Sequence, residues 1–289
     1  MLQKTLLRIA ETTIRLEAEP FLIPPSLMDF TAFPGEEPEL EWQIRMDAPS
    51  PLPDTPPLLK AGHTVVHSGG GQRLFISFPP YPLIARLEVD AGRAVLYLSA
   101  TKMLSSCPRQ MMDNIHYALE VAFFCAIQHK QRIAVHSASL LYRDAAYLFI
   151  APSGTGKSTH VGLWREALPE DVSVLDGDVA VCGLHEGVPC AWGLPWAGTS
   201  GEYQNRRARL GGLIFLQQAP ENKAQRLPML DGTIRLISRC FTPTWTKEMA
   251  GINFSVSEKL AAQVPCYLLG CRPDQGAVTA IRRLIDEDA

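Results

Sequence analysis

The segment APSGTGKST, residues 151–159, limits the folds open to this chain more than any other part of the sequence. It follows the strand-like run AAYLFI and precedes a helical pattern from Lys157 to Leu168. A glycine-rich turn between a strand and a helix lets successive backbone N–H groups point at one phosphate cluster, and a side chain at Gly154 or Gly156 would obstruct that approach. The helix N-terminus adds its positive end. The sequence therefore predicts a phosphate-binding loop.

Position within this loop assigns each residue a role. Lys157 is expected to reach the β- and γ-phosphates of a nucleotide, and the Ser158 hydroxyl is expected to hold a magnesium ion. The usual first glycine of the motif is replaced by Ala151, a small residue that the strand end should tolerate. ATP and Mg²⁺ are the expected cofactors. The predicted nucleotide-binding residues are Ser153, Gly154, Thr155, Gly156, Lys157, Ser158 and Thr159.

Two carboxylates follow the loop closely. The run VLDGDVAV, residues 174–181, carries Asp176 and Asp178 at a break between two strand patterns. A phosphoryl-transfer site needs acidic groups to hold metal and to accept a hydroxyl proton, and these two could face one metal ion. An Asp-Gly hairpin turn is the structural alternative for the same residues.

The distribution of patterns predicts two halves. Residues 1–107 are rich in short alternating segments and predict a β-rich N-terminal module, and residues 108–132 carry helical spacing that predicts a linking helix. Strands alternate with helices over 133–289, beginning with an antiparallel hairpin around Arg143-Asp144. The predicted fold class is α+β or α/β, with a β-rich module followed by a P-loop domain that has a mixed sheet.

Composition excludes several classes of partner. The 289 residues have a net charge of −3 and contain no long basic run, so neither nucleic acid nor a membrane surface is an expected partner. The N-terminus lacks the apolar core of a signal peptide, and the apolar stretch at 117–128 is too short to span a bilayer. Seven scattered cysteines without a C-x-x-C pair indicate reduced thiols. We expect a cytoplasmic protein, and a homo-oligomer is compatible with the sequence.

Residues 133 to 286 resemble the HPr kinase/phosphorylase catalytic domain and its relatives of the phosphoenolpyruvate carboxykinase-like P-loop fold. In that family a histidine-bearing strand, a tight hairpin, the phosphate loop and an acidic motif occur in this order, as His136, Arg143-Asp144, SGTGKST and DGD do here. The resemblance implies that Asp178 is the catalytic base and a metal-facing carboxylate, with Asp176 in support. It implies that His136 neighbours the transferred phosphate, although a strand histidine can also be structural.

The sequence departs from those kinases in two places. Their acidic motif is usually an adjacent aspartate pair, and their following signature is replaced here by GLPWAGTSGEYQNRR, residues 193–207. HPr itself is therefore not the expected acceptor. Within and after this segment, one of Arg206, Arg207 and Arg209 could stabilise a transferring phosphoryl group. The alternative, expected for at least two of the three, is a solvated basic turn before the strand at Leu210. Arg272 is a weaker candidate for stabilising the phosphoryl group.

These patterns predict a kinase that moves the γ-phosphoryl of ATP to a hydroxyl on a peptide, protein or small molecule. The alternative from another class is a non-catalytic nucleotide-binding regulator or assembly factor, in which ATP changes how the protein meets a partner. A decarboxylase of the phosphoenolpyruvate carboxykinase type would need a richer metal- and carboxylate-binding set than the sequence provides.

Overall fold

The computed structural model describes residues 2–62, 64–79, 83–99, 108–196, 198 and 200–288. The strands are β1 (Gln3–Ile9), β2 (Thr12–Ala18), β3 (Leu40–Arg45), β4 (Leu59–Ala61), β5 (Thr64–Ser68), β6 (Leu74–Ser77), β7 (Ile84–Asp90), β8 (Arg93–Leu98), β9 (Arg132–Tyr142), β10 (Ala145–Ile150), β11 (Val172–Asp176), β12 (Val179–His185), β13 (Val188–Trp192), β14 (Arg207–Gln218), β15 (Lys223–Arg226) and β16 (Cys266–Cys271). The helices are α1 (Pro108–Gln128), α2 (Lys157–Ala167), α3 (Met229–Ile237), α4 (Lys247–Gln263) and α5 (Gln275–Asp288).

The chain divides into two compact units, Met1–His129 with Thr244–Met249, and Lys130–Pro243 with Ala250–Ala289. Each unit contains a mixed sheet, so the protein is a mixed α+β protein, which is compatible with the predicted fold class. The P-loop type of fold stays a prediction. Within the described residues, no helix is both long and apolar enough to cross a bilayer.

The N-terminal unit is built on a sheet with strand order β1-β2-β3-β8-β7-β6-β5-β4. Its first hairpin turns through Ala10 and Glu11, both with positive φ, as a two-residue hairpin requires. This hairpin was not predicted from the sequence. Helix α1 packs on β7 and β8 and therefore belongs to this unit, and its Phe123 ring meets the Trp42 ring edge-on at 6.4 Å.

The C-terminal unit begins with the predicted antiparallel hairpin of β9 and β10, which turns through Arg143 and Asp144, both at positive φ. The strands continue in the order β10-β9-β12-β13-β14, each paired with the next. β14 also pairs with β10 in parallel, so these five strands form a closed ring of pairings. β16 continues from β14 in parallel, and β15 covers its other edge.

Both faces of β10 are buried, which accounts for its continuous apolar sequence. On one face Ala146, Leu148 and Ile150 join a cluster that includes residues of α3 and α4. On the other face Tyr147 and Phe149 pack with residues of α2 and α5. The strand is therefore held from both sides, and the loop at its carboxyl end starts from a fixed point.

Candidate phosphate-binding and catalytic site

The glycine loop, residues 151–156, leaves the buried end of β10 and leads directly into α2. Gly154 has φ of 77° and Gly156 has φ of 112°, and both values lie in the left-handed region that side chains disfavour. A Cβ at either position would meet nothing within 4 Å, so the backbone conformation requires these glycines and packing does not. The loop surface is open, and the first N–H groups of α2 have no partner within the helix, so the two together can hold an anion.

Lys157 is the first residue of α2, and its side chain turns inward. Its Nζ donates to the carbonyl of Ala151 at 3.2 Å and lies 3.1 Å from Nε2 of His136. Burial lowers the pKa of Lys157, the charge of Asp178 opposes this change, and the charge of Arg239 adds to it. The lysine therefore sits at the base of the glycine loop, within the field of one anion and one cation.

His136 and Asp178 come together because β9 and β12 are antiparallel neighbours. His136 lies opposite Val179, and Val179 directly follows Asp178 in the chain. Nε2 of His136 is 3.5 Å from Oδ1 of Asp178, and the Asp178 side chain is 40% exposed, so a substrate can reach it. The ring of Phe241 stacks on His136 with centroids 4.8 Å apart and fixes the plane of the imidazole.

Asp176 points away from this cluster and is fully buried. Its Oδ1 accepts the N–H groups of Asp178 and Val179, each at 3.0 Å, and its Oδ2 accepts the N–H of Leu194 at 2.9 Å. Burial raises the pKa of Asp176, and these three donors oppose the rise. Because both oxygens are engaged by the backbone, the expectation that Asp176 faces a metal ion does not fit this geometry. It shapes the turn that presents Asp178.

The covering segment, which comprises the described residues among 193–206, lies against the acidic turn formed by residues 176–178. The N–H of Gly177 donates to the carbonyl of Glu202 at 3.0 Å, and a Cβ at Gly177 would lie 2.6 Å from that of Ser200. A Cβ at Gly198 would lie 2.7 Å from Cγ of Asp178. The covering segment therefore approaches Asp178 directly. Thr199, which belongs to the same segment, lies outside the described residues.

The three arginines at the end of the covering segment and just after it are exposed, and none is shown in contact with the described residues of the site. Arg206, Arg207 and Arg209 are exposed, and Arg209 pairs with Ala145, at the end of β10 opposite the glycine loop. Arg207 and Arg209 therefore lie in β14 and not in a turn, although their side chains are solvated as that alternative expects. Arg272, in contrast, lines a cleft beside the glycine loop.

Arg239 is the residue that sequence reasoning missed. Its carbonyl accepts the N–H of His136 at 3.0 Å, and its charge acts on Lys157. The chain returns to β9 at this point through an isolated bridge between Val135 and Cys240. No periodicity or motif in the sequence predicts that bridge, so no local signal could have placed Arg239 near the site.

Metal-binding capacity at the site is limited to a few oxygen ligands. Within the part of the chain that the structure describes, no group of three or more His, Cys, Asp or Glu side chains could hold a metal ion. Ser158 is exposed on the first turn of α2, and Asp178 is partly exposed. A single carboxylate with a hydroxyl suits Mg²⁺, which usually keeps waters and takes its other ligands from substrate phosphates. The residues present therefore fit magnesium and not a site made of protein ligands alone.

Comparisons with known proteins add little to this geometry. No family profile matches the sequence, and no curated protein matches it. Among solved structures, the Hpr(Ser) kinase/phosphatase from Coxiella burnetii is similar with a TM-score of 0.30 and 12% identity, over 53% of this chain and 92% of that chain. A similarity at this level carries no argument about activity, so function has to be inferred from the residues of the site.

Proposed function

We propose that this protein is an ATP- and magnesium-dependent phosphotransferase that moves the γ-phosphoryl of ATP to a hydroxyl on a peptide, protein or small molecule. The observation that supports it best is the cluster of Lys157, His136 and Asp178 at the base of the glycine loop. In this cluster the Lys157 ammonium, which can bind phosphate, and the accessible Asp178 carboxylate both lie near the His136 imidazole. The resemblance to HPr kinase/phosphorylase relatives implies the same class of reaction.

Phosphate binding rests on the backbone and on Lys157. The N–H groups of the glycine loop and of the first turn of α2 would surround the phosphates, with Ser153, Thr155 and Thr159 at the rim. The Lys157 ammonium sits on a flexible stem, so it can move from the carbonyl of Ala151 to a phosphate oxygen without a change in the backbone. A charged donor in this partly dry position interacts strongly with an anion.

Magnesium would be held by Ser158 and Asp178, together with phosphate oxygens and water. The bound ion would neutralise the charge that develops on the phosphates during transfer. Asp176 is left out of this set, because its oxygens fold the acidic turn.

Phosphoryl transfer then needs a base on the acceptor side. The acceptor oxygen forms a bond to the γ-phosphorus while the bond from that phosphorus to the bridging oxygen of ADP breaks, and the hydroxyl proton passes to the carboxylate of Asp178. Nε2 of His136 lies near both groups, and depending on its protonation it can accept from the Lys157 ammonium or donate to the Asp178 carboxylate. Lys157 stabilises the charge on the transferring group.

The test is turnover of γ-labelled ATP with magnesium, in wild type and in Asp178→Asn. The wild-type protein should release or transfer the label slowly even without its natural acceptor, and Asp178→Asn should bind ATP without turnover. Binding of ATP with no turnover in the wild type, either alone or with hydroxyl-bearing peptides, would favour the nucleotide-dependent regulator over the kinase.

A further inference from the structure

A cleft of about 350 Å³ opens beside the glycine loop within the C-terminal unit. Its walls are the glycine loop, the first turns of α2 and the ends of β14 and β16. The cleft is distinct from the cluster of Lys157, His136 and Asp178, since those three residues do not line it. It has the size of a site for a small organic group.

Strand direction places this cleft where a ligand of the glycine loop would extend. β10, β14 and β16 are mutually parallel, with Ile150 opposite Phe215 and Leu216 opposite Leu269. Their carboxyl ends therefore meet at one edge of the sheet, which is where open sheets of this kind bind ligands. β10 exits into the glycine loop, and β14 and β16 exit into the walls of the cleft. If the phosphates of a ligand bind in the glycine loop, the part of the ligand that is not phosphate would extend into the cleft.

The lining of the cleft suits a flat, largely apolar group. Leu163, Leu216 and Ala219 give it apolar surface, and Arg272 gives it a guanidinium that can stack on an aromatic ring. The Arg272 guanidinium pairs with Asp274 at 3.0 Å, and the backbone N–H of Arg272 donates to Oδ1 of Asn222 at 2.9 Å. The backbone of this wall is therefore anchored to Asn222, while the exposed guanidinium stays free to adjust to a ligand.

The polar groups of the cleft do not select one purine edge. Among the described residues that line it there is no carboxylate to accept the N–H groups of guanine. Nε2 of Gln218 donates to the carbonyl of Thr155 at 3.4 Å, and the Gln218 amide offers both donors and an acceptor. The base would be held by stacking and apolar contact more than by hydrogen bonds to its edge.

We infer that this cleft binds the purine nucleoside portion of the nucleotide whose phosphates occupy the glycine loop, with weak discrimination between adenine and guanine. The inference rests on the proposed function, since it takes nucleotide binding at the loop as given. It assigns Leu163, Leu216, Ala219 and Arg272 to nucleoside binding. ATP and GTP should bind with affinities within about tenfold of each other.

The test compares ATP with inorganic triphosphate, which has the phosphates but no nucleoside. Ala219→Trp fills the cleft, and calorimetric titration with magnesium should show at least about tenfold weaker ATP binding and almost unchanged triphosphate binding. Glu221→Trp, an exposed position two residues further along the chain, is the matched control and should bind both like wild type. Unchanged ATP binding in Ala219→Trp would overturn the inference and leave the proposed function standing. Failure of the wild type to bind either ligand would overturn both.

A second measurement uses the wild-type protein and applies if Ala219→Trp loses both ligands. Cys271 lines the cleft and is partly exposed, and burial raises the pKa of its thiol. Alkylation at Cys271 in mildly alkaline buffer, read by peptide mass spectrometry, should be slowed by ATP and by GTP but not by triphosphate. Equal protection by triphosphate, or no protection by ATP, would contradict the assignment.

Discussion

Nζ of Lys157 lies 3.1 Å from Nε2 of His136, and the same nitrogen of His136 lies 3.5 Å from Oδ1 of Asp178. One imidazole thus joins the lysine of the glycine loop to the carboxylate of the acidic turn. The histidine is held in turn by the stacked ring of Phe241 and by its backbone N–H bond to Arg239. In the proposed reaction His136 therefore has a positioning role, and Asp178 is the proton acceptor.

Replacement of His136 separates positioning from proton transfer. His136→Ala should reduce ATP turnover by on the order of 10²-fold and leave ATP affinity close to wild type, because Lys157 and Asp178 remain but lose their common neighbour. His136→Gln keeps a hydrogen-bonding amide near Lys157 and should recover most of the turnover. If the glutamine variant is as inactive as the alanine variant, His136 itself carries the proton.

Gly177 is required by the close approach of the covering segment. Gly177→Ala would place a Cβ 2.6 Å from Cβ of Ser200, so the segment must move off the acidic turn. We expect a loss of about 1–3 kcal/mol in the free energy of unfolding and lower turnover with ATP binding retained. Ser200→Gly in the same chain removes the clash and should restore both properties.

Gly162 is the matched control for this substitution. It lies in α2, and a Cβ there would meet nothing within 4 Å. Gly162→Ala should raise the free energy of unfolding by about 0.5–1 kcal/mol, since alanine favours helix, and should leave turnover unchanged. Urea denaturation and ATP turnover are measured for both Gly177→Ala and Gly162→Ala. A Gly177→Ala protein that behaves like Gly162→Ala would show that the covering segment does not rest on the acidic turn.

Asp176→Asn should damage stability and not metal binding. The amide would turn its NH₂ group toward at least one backbone N–H that the carboxylate now accepts, at a cost of about 1–3 kcal/mol for the unsatisfied buried groups. Urea denaturation should show this loss, while the magnesium dependence of ATP binding at low temperature should stay like wild type. A variant of wild-type stability that no longer responds to magnesium would instead assign Asp176 to the metal site.

Local sequence was sufficient for the phosphate-loop region. The apolar run of β10, the glycines and the spacing of α2 all act over a few residues, and the positions of β10, α2 and the hairpin through Arg143-Asp144 were predicted. β13 and β15 were missed, because β13 is a short strand that contains Pro189 and β15 is a short polar edge strand.

Long-range relationships explain what the sequence could not provide. The orientation of the Asp176 carboxylate depends on the N–H of Leu194, and the position of Arg239 depends on the bridge between Val135 and Cys240. Both relationships arise when distant segments meet in the folded chain. A carboxylate that folds a turn and one that binds metal therefore look alike in the sequence.

His160 should make stability depend on pH. Burial lowers its pKa from 6.5 to about 4, and its Nε2 accepts the indole N–H of Trp164 at 3.2 Å, so the folded protein holds it neutral. Because the unfolded chain binds the proton more tightly, the stabilisation is present above pH 6.5 and is lost as the pH falls toward 4. The shift is worth about 3 kcal/mol.

His160→Gln is the comparison, since its amide oxygen can still accept from Trp164 but does not titrate. The difference in unfolding free energy between wild type and His160→Gln should change across this pH range, with wild type losing stability faster toward acid. A constant difference would mean that His160 is not held neutral in the fold.

Nucleotide binding at residues 151–158 can be tested by calorimetric titration of wild type and Lys157→Ala with Mg-ATP. Wild type should bind ATP, and Lys157→Ala should bind it at least about tenfold more weakly, because a charge-assisted contact to phosphate is lost. Circular dichroism should show that the variant keeps its fold. No ATP binding by folded wild type, or equal binding by folded Lys157→Ala, would contradict the assignment of residues 151–158 as a nucleotide phosphate site.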